Sequence, residues 1–264
     1  MRYSIPSLDR GLRILDALAA ERDGLGVSEL SRRLVQDKSV VYRTLSSLVY
    51  QMYVEQDETT RKYLLTAKVI MLANAKLRGS DLFVVSQPFL RPLASRAGES
   101  VVVAALLGNA IVCLEREPGS RANHIVYEAG QFLPLHASAC GKCVAAYLSE
   151  SKVFSIVEKK GLVSITQNTI TSFSELRINL EEVRRKGYAV DDEETCVGVR
   201  SIAAPVWDQK GSIVGSLAVW GPVERIREDC TSVLVDMVKD AALTLSSRLG
   251  YRATASKLFK QRRT

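Results

Sequence analysis

The chain has 264 residues, 47% hydrophobic and 25% charged, a balance that suits one large or two ordinary globular domains with buried cores. Its longest apolar region, "VVVAALLGNAIVCL" at 101–114, falls short of the roughly 20 residues a membrane helix needs, and Gly108-Asn109 splits it in the manner of a hairpin. The formal charge of +7 does not by itself argue for a nucleic-acid partner, because residues 1–240 carry only +1 and the rest sits on Arg248, Arg252, Lys257, Lys260, Arg262 and Arg263.

In chain order, Ser7 is placed to cap a first helix with Leu8, Leu12, Leu15 and Leu18 on one face. Ser28 is placed to cap a second, with Leu30 and Leu34 inward. After the turn "VQDK", Asp37 caps a third helix whose inward stripe is Val41, Leu45, Leu48 and Val49, leaving Lys38, Ser39, Tyr42, Arg43 and Ser46 on the outer face. Strands "YVEQ" and "KYLL" then flank "DETTR", which sets Arg61 and Lys62 beside the third helix. Two short helices around a tight turn, the second polar and basic outside, followed by a small hairpin, fit a winged helix-turn-helix that lays one helix in a major groove and holds phosphates with its wing. The alternative is an ordinary helical domain with solvated charges. Candidate DNA contacts are Ser28, Lys38, Ser39, Tyr42, Arg43, Arg61 and Lys62.

"TAKVIMLANAKLRGS" predicts a linker helix capped by Thr66 and stopped at Gly79-Ser80. The expected division is 1–66, a winged helix-turn-helix; 67–80, the linker; 81–250, a second domain; and 251–264, a basic tail that either contacts DNA or is solvated. Beyond residue 81 the pattern predicts a helix around 88–97, a hairpin of "SVVVAALL" and "AIVCLERE", a strand near "HIVYE", and helices near 138–149 and 174–186. Strands "VRSIAAPVW" and "SIVGSLAVW" around "DQKG" and a last helix from about 224 follow. Hairpin turns and two-faced apolar strands indicate a mostly antiparallel sheet covered by helices, hence an α+β chain.

The stretch "LPLHASACGKCVAAYLSE" at 133–150 raises several chemistries at once. His136 and Cys140 could form a base and nucleophile, and Cys140 and Cys143 lie three apart as a redox or metal pair would. A phosphate loop is excluded, since it would need Gly at His136 and Ser or Thr at Cys143. No fourth metal ligand is evident, so no metal or cofactor is expected. The commoner role of such cysteines is that of small buried hydrophobes, and His124 is expected to be a polar edge residue. "MRYSIPSLDRGLRIL" lacks the apolar core and cleavage site of a secretory signal, which gives a cytoplasmic expectation with reduced cysteines.

Several ordered segments together resemble the IclR family of bacterial transcriptional regulators: "SLDRGLRILDAL", "VVYRTLSSLVYQMYVEQD" with "KYLLT", "LPLHASACGK", and "GYAVDDEETCVGVRSIAAPVWDQKGSIVGSLAVWGP". The resemblance implies a GAF-like C-terminal domain that binds a small organic acid, and a homodimer or dimer of dimers on operator DNA. It also implies that "LHASACGK" opens a helix beside the effector pocket, where backbone N–H groups can meet a carboxylate. Ser138, Ala139 and Cys140 would stand at that opening, with Asp191 and Ser201 at further contact positions; a solvated loop is the other reading of "DDEE". Where relatives that bind very small acids carry hydroxyls, this chain has Ala218 and Trp220, so the expected effector is an aromatic acid or a related carbonyl compound, unless Trp220 fills the cavity. A further departure is Met52 where the family has glycine at a helix end, which puts that turn's geometry in question. A cysteine-dependent enzyme using Cys140 and His136, and an effector-independent DNA-binding protein, are the competing functions.

Overall fold

The computed structural model describes residues 4–77, 81–120 and 127–252, and the chain divides into two compact units, 1–79 and 80–264. His124 and residues 253–264 lie outside the described residues.

In the first unit, α1 (Pro6–Ala19) begins one residue ahead of the expected Ser7 cap, because Pro6 brings a helix-ready φ and needs no N–H partner in the first turn. It buries Gly11, Ile14, Ala17 and Leu18, whereas Leu8 and Leu12 are 57% and 52% exposed. Both stripes satisfy the helical period. Packing against α3 (Lys38–Tyr50) selects the one containing Gly11, above which Thr44 sits. The second helix, α2 (Val27–Leu34), is preceded by Gly26, whose N–H donates to the Glu29 carboxylate at 2.7 Å, so Ser28 lies inside the first turn and is not its cap. Reciprocal Leu25–Tyr63 backbone bonds pin the chain just ahead of this start and fix where the helix can begin.

Asp37 does stand at the N-cap of α3, without a side-chain capping bond. Val41 and Leu45 are buried and Leu48 half-buried, but Val49 is 38% exposed. The end of α3 keeps the geometry that glycine usually serves. Met52 adopts φ +59° and its N–H donates to Val49 O at 2.8 Å, while Tyr53 N–H donates to Leu48 O at 2.9 Å. Its side chain is exposed, so the conformation costs backbone energy but causes no clash.

The wing is β1 (Val54–Gln56) paired antiparallel with β2 (Tyr63–Leu65). Asp57 Oδ1 accepts from Thr59 N–H, Thr60 N–H and Thr60 Oγ1–H and shapes the turn; the Thr60 bonds hold its carboxyl below the ordinary range. Ile14, Leu18, Leu30, Val41, Leu45 and Tyr63 are among the core. After the wing, α4 (Ala67–Leu77) starts at Thr66, whose Oγ1 accepts from Lys68 N–H.

The second unit is built on a six-stranded, wholly antiparallel sheet ordered β5-β4-β3-β8-β7-β6. The strands are β3 (Ser100–Leu107), β4 (Ala110–Glu117), β5 (Phe132–Leu133), β6 (Ala189–Asp192), β7 (Val199–Trp207) and β8 (Ile213–Pro222). One face carries α5 (Asp81–Ala97) and α9 (Glu228–Arg248). The other carries α6 (Ala139–Ala145), with α8 (Phe173–Lys186) against it, and α7 (Glu150–Lys160) contributes Val153 and Ile156 to the same core.

Three expectations change here. The helix expected at 88–97 begins at Asp81 and runs through Pro88 and Pro92; both prolines are exposed, and burial of Leu82, Leu90, Leu93 and Ala94 offsets the lost backbone bonds. The single helix expected at 138–149 is two, because Ser149 caps α7 by accepting from Lys152 N–H. Of "HIVYE", 124–126 fall outside the described residues, and Tyr127 and Glu128 belong to no strand.

Candidate functional site

On the first unit, Lys38, Ser39, Tyr42 and Arg43 occupy the exposed side of α3, opposite Val41 and Leu45. Ser46 and Ser47 turn their hydroxyls back to the carbonyls of Tyr42 and Arg43 rather than extending outward. Arg61, at φ +59°, is exposed in the wing turn, and its carbonyl accepts from Gln56 Nε2. Lys62 beside it is half-buried, and Ser28 is exposed in the first turn of α2.

On the second unit, strict alternation along the strands decides what meets α6. Asp191 of β6 is the register partner of Ser201 of β7, Ser201 of Trp220 of β8, and Trp220 of Ser100 of β3. The neighbouring row is Ala189, Ala203, Ala218 and Val102. Both rows face the side that α6 covers, so Asp191, Ser201, Ala218 and Trp220, 29 residues apart in sequence at the extremes, share one surface beneath Ser138, Ala139 and Cys140. All are buried.

Ser138 fixes the opening of α6. Its N–H and Oγ both bond Pro134 O, at 3.1 and 2.7 Å, and its Oγ accepts from Gly141 N–H at 3.0 Å. The Ser138 amide is therefore committed, contrary to its expected availability to a ligand. The amides of Ala139 and Cys140, in the first turn, find no acceptor among the described residues. Gly141 is required, because a Cβ there would stand 2.3 Å from Pro134 O.

His136, Cys140 and Cys143 are all buried. His136 places Nε2 3.0 Å from Val163 O, a bond in which the ring nitrogen is the donor. Burial pushes the Cys140 thiol up to about 12, and Cys143 is raised by the same cause. Cys113, Cys140, Cys143 and Cys196 are free thiols, and among the described residues no group of three His, Cys, Asp or Glu side chains could hold a metal.

Around this surface lies a polar network that the sequence did not reveal. Lys142, fully buried on α6, pairs with Glu194. Glu194 N–H donates to Asp191 Oδ1 at 2.8 Å, and Thr195 bonds Asp191 through both its N–H and its hydroxyl. Burial raises the Asp191 and Glu194 carboxyls; the Thr195 bond works against this at Asp191, and the Lys142 charge at Glu194. Tyr127 OH lies 3.1 Å from Thr195 Oγ1, and its ring meets Trp220 edge-on with centroids 6.0 Å apart. "DDEE" is thus half solvated and half buried: Asp191 and Glu194 turn in while Asp192 is exposed, the chain reversing at Glu193 with φ +58°. In the sequence the Gly-Lys pair is the only sign of Lys142, and it points to phosphate rather than to a buried ion pair. Two buried polar atoms, Trp220 Nε1 and Glu194 Oε2, have no hydrogen-bond partner among the described residues.

Comparison with known proteins agrees with both units. The family described as IclR helix-turn-helix domain matches residues 7–58, and that described as bacterial transcriptional regulator IclR C-terminal matches 74–247. The HTH-type transcriptional repressor AllR of Escherichia coli K12 is 32% identical over 247 residues, 94% of this chain and 91% of its own. The HTH-type transcriptional regulator KdgR of Dickeya chrysanthemi is 33% identical over 248 residues, 94% of this chain and 81% of its own. The crystal structure of the Thermotoga maritima IclR superposes with a TM-score of 0.77 at 25% identity, covering 94% of this chain and 100% of that one.

Proposed function

The chain belongs to the IclR family of bacterial transcriptional regulators, with a helix-turn-helix DNA-binding domain and a C-terminal effector-binding domain, and from that premise we propose that it represses a catabolic operon until an aromatic acid or related carbonyl compound binds beneath α6. On this reading Tyr42 and Arg43, with Lys38 and Ser39 beside them, face base edges, while Arg61, Lys62 and Ser28 hold phosphates. The protein works in the cytoplasm as a homodimer or dimer of dimers. Among the described residues no helix is long and apolar enough to cross a membrane.

The observation that carries the effector reading is the buried indole of Trp220. Ala218 and Trp220 remove the hydroxyls a two- or three-carbon acid would use and supply a large apolar wall edged by Tyr127. The amides of Ala139 and Cys140 receive the ligand's carboxylate or carbonyl, and Asp191 and Ser201 complete the row. The rival reading, in which Trp220 fills the cavity and the protein ignores effectors, draws on its burial at 3% exposure. Its orphaned N–H counts against that role, since a plug would carry an unsatisfied donor at a cost of about 1–3 kcal/mol. Operator release is measured with a benzoate series against pyruvate and glyoxylate, in the wild type and in Trp220→Ser. Release by the aromatic series, lost in the variant, is expected; release by the small acids alone overturns the reading.

A further inference from the structure

We propose that Asp37 is a base-reading residue whose carboxylate accepts from the amino group of one cytosine of the operator, adding a position to the specificity set by Tyr42 and Arg43. This rests on the reading of α3 as the helix that lies in the major groove. Asp37 stands at the N-cap of α3, where an aspartate ordinarily accepts from the first amides of its own helix, yet its side chain makes no capping bond. Only its main chain serves the helix: Asp37 O accepts from Val40 N–H and Val41 N–H, each at 3.0 Å. The carboxylate is exposed, directly ahead of the exposed Lys38 and Ser39, and no ion pair or side-chain hydrogen bond engages it among the described residues.

The turn ahead of Asp37 sets its position. Gln36 N–H donates to Ser31 O at 3.0 Å and Ser31 Oγ–H donates to Gln36 O at 2.6 Å, while Val35, at φ +54°, donates its N–H to Arg32 O at 3.4 Å. Ser31, Arg32, Val35, Gln36 and Asp37 line one open depression at this corner, so the carboxylate is carried on a braced turn. A negative group on a face that meets DNA is repelled by phosphates and gives up water on contact, so it must find a donor there. In the major groove the donors are cytosine N4 and adenine N6, whereas guanine O6 and N7 and thymine O4 are acceptors that repel it. Adenine sets its N7 acceptor beside N6, against the second carboxylate oxygen, which leaves cytosine as the favoured partner.

The test is selection from a random duplex pool by the full chain, in the wild type, Asp37→Asn, Asp37→Ala and Arg43→Ala, followed by titration of single-base variants of the enriched sequence. Asparagine caps a helix as well as aspartate does, so Asp37→Asn separates base reading from helix stability, and it pairs with adenine through an acceptor and a donor together. The wild type is expected to bind one cytosine at least about tenfold tighter than thymine or guanine at the same position. Asp37→Asn moves the preference there to adenine, and Asp37→Ala reduces it below about twofold with the other positions kept. An identical enriched sequence in the wild type and both Asp37 variants overturns the proposal, whether affinity is unchanged or rises equally for every sequence, the latter being the mark of a charge that only repels phosphate. In that case a position relaxed by Arg43→Ala leaves the reading of α3 standing, and an unchanged sequence in Arg43→Ala overturns both. Enrichment of no sequence by the wild type also overturns both.

Discussion

Replacing Lys142 with Met removes a charge from a fully buried position in the second unit while keeping a long flexible side chain in its place. Lys142 has no exposed surface, and the side chain of its partner Glu194 is 9% exposed, so solvent screens the pair very little. The variant leaves a nearly desolvated carboxylate without its cation, and Glu194 Oε2 has no partner among the described residues even with Lys142 in place. Breaking a buried pair from one side costs about 3–5 kcal/mol. The pH dependence has a definite sign. Burial already holds the Glu194 carboxyl above its ordinary 4.5, and Lys142 pulls it back down, so without Lys142 it rises further. A raised carboxyl keeps in the folded state a proton that the unfolded state releases, and stability therefore falls as pH climbs from the ordinary value through the folded one. The penalty of Lys142→Met should accordingly be larger at pH 8 than at pH 5. Urea unfolding followed by tryptophan fluorescence measures it directly, since both tryptophans, Trp207 and Trp220, lie in the second unit. A loss below about 1 kcal/mol, or one equal at the two pH values, would show that Lys142 does not hold the Glu194 charge in the fold.

On DNA, Arg43→Ala should cost about 1–3 kcal/mol at the operator and relax sequence preference, while Lys62→Ala should weaken all sequences alike and reduce the salt slope by about 1; equal loss of specific and non-specific binding in Arg43→Ala would remove it from the base-reading face. Met52→Gly relieves a left-handed, side-chain-exposed residue and should stabilise the first unit by about 1 kcal/mol, seen as a higher unfolding midpoint by circular dichroism. Alkylation at pH 8 followed by peptide mapping should label Cys196 in the native protein but Cys113 and Cys140, held at about 12, only after unfolding. Cys140→Ala should keep both operator binding and release; loss of release would revive a chemical role for the thiol.

The sequence by itself made the elements of the first unit legible in kind and order, and in the second unit the two long hairpins and most of the helices, but not β5, β6 or the division of α6 from α7. Local signals were enough for that: apolar period in α3, turn chemistry at Gly108-Asn109 and "DQKG", and the ordered motifs of the family. It also supplied the outward set Lys38, Ser39, Tyr42 and Arg43, because opposite faces of one helix are fixed by spacing alone. Where two periodic stripes competed, as on α1, only packing chose, and Gly11 rather than Leu8 or Leu12 turned inward. The row Asp191, Ser201, Trp220 and Ser100 depends on strand register across four strands, which hairpin turns fix one pair at a time but no local pattern fixes across crossovers. Burial of Lys142 and Glu194 was illegible for a related reason. A lysine and an acid 52 residues apart look like surface charges until tertiary structure brings them together out of water, where each makes the other's burial tolerable.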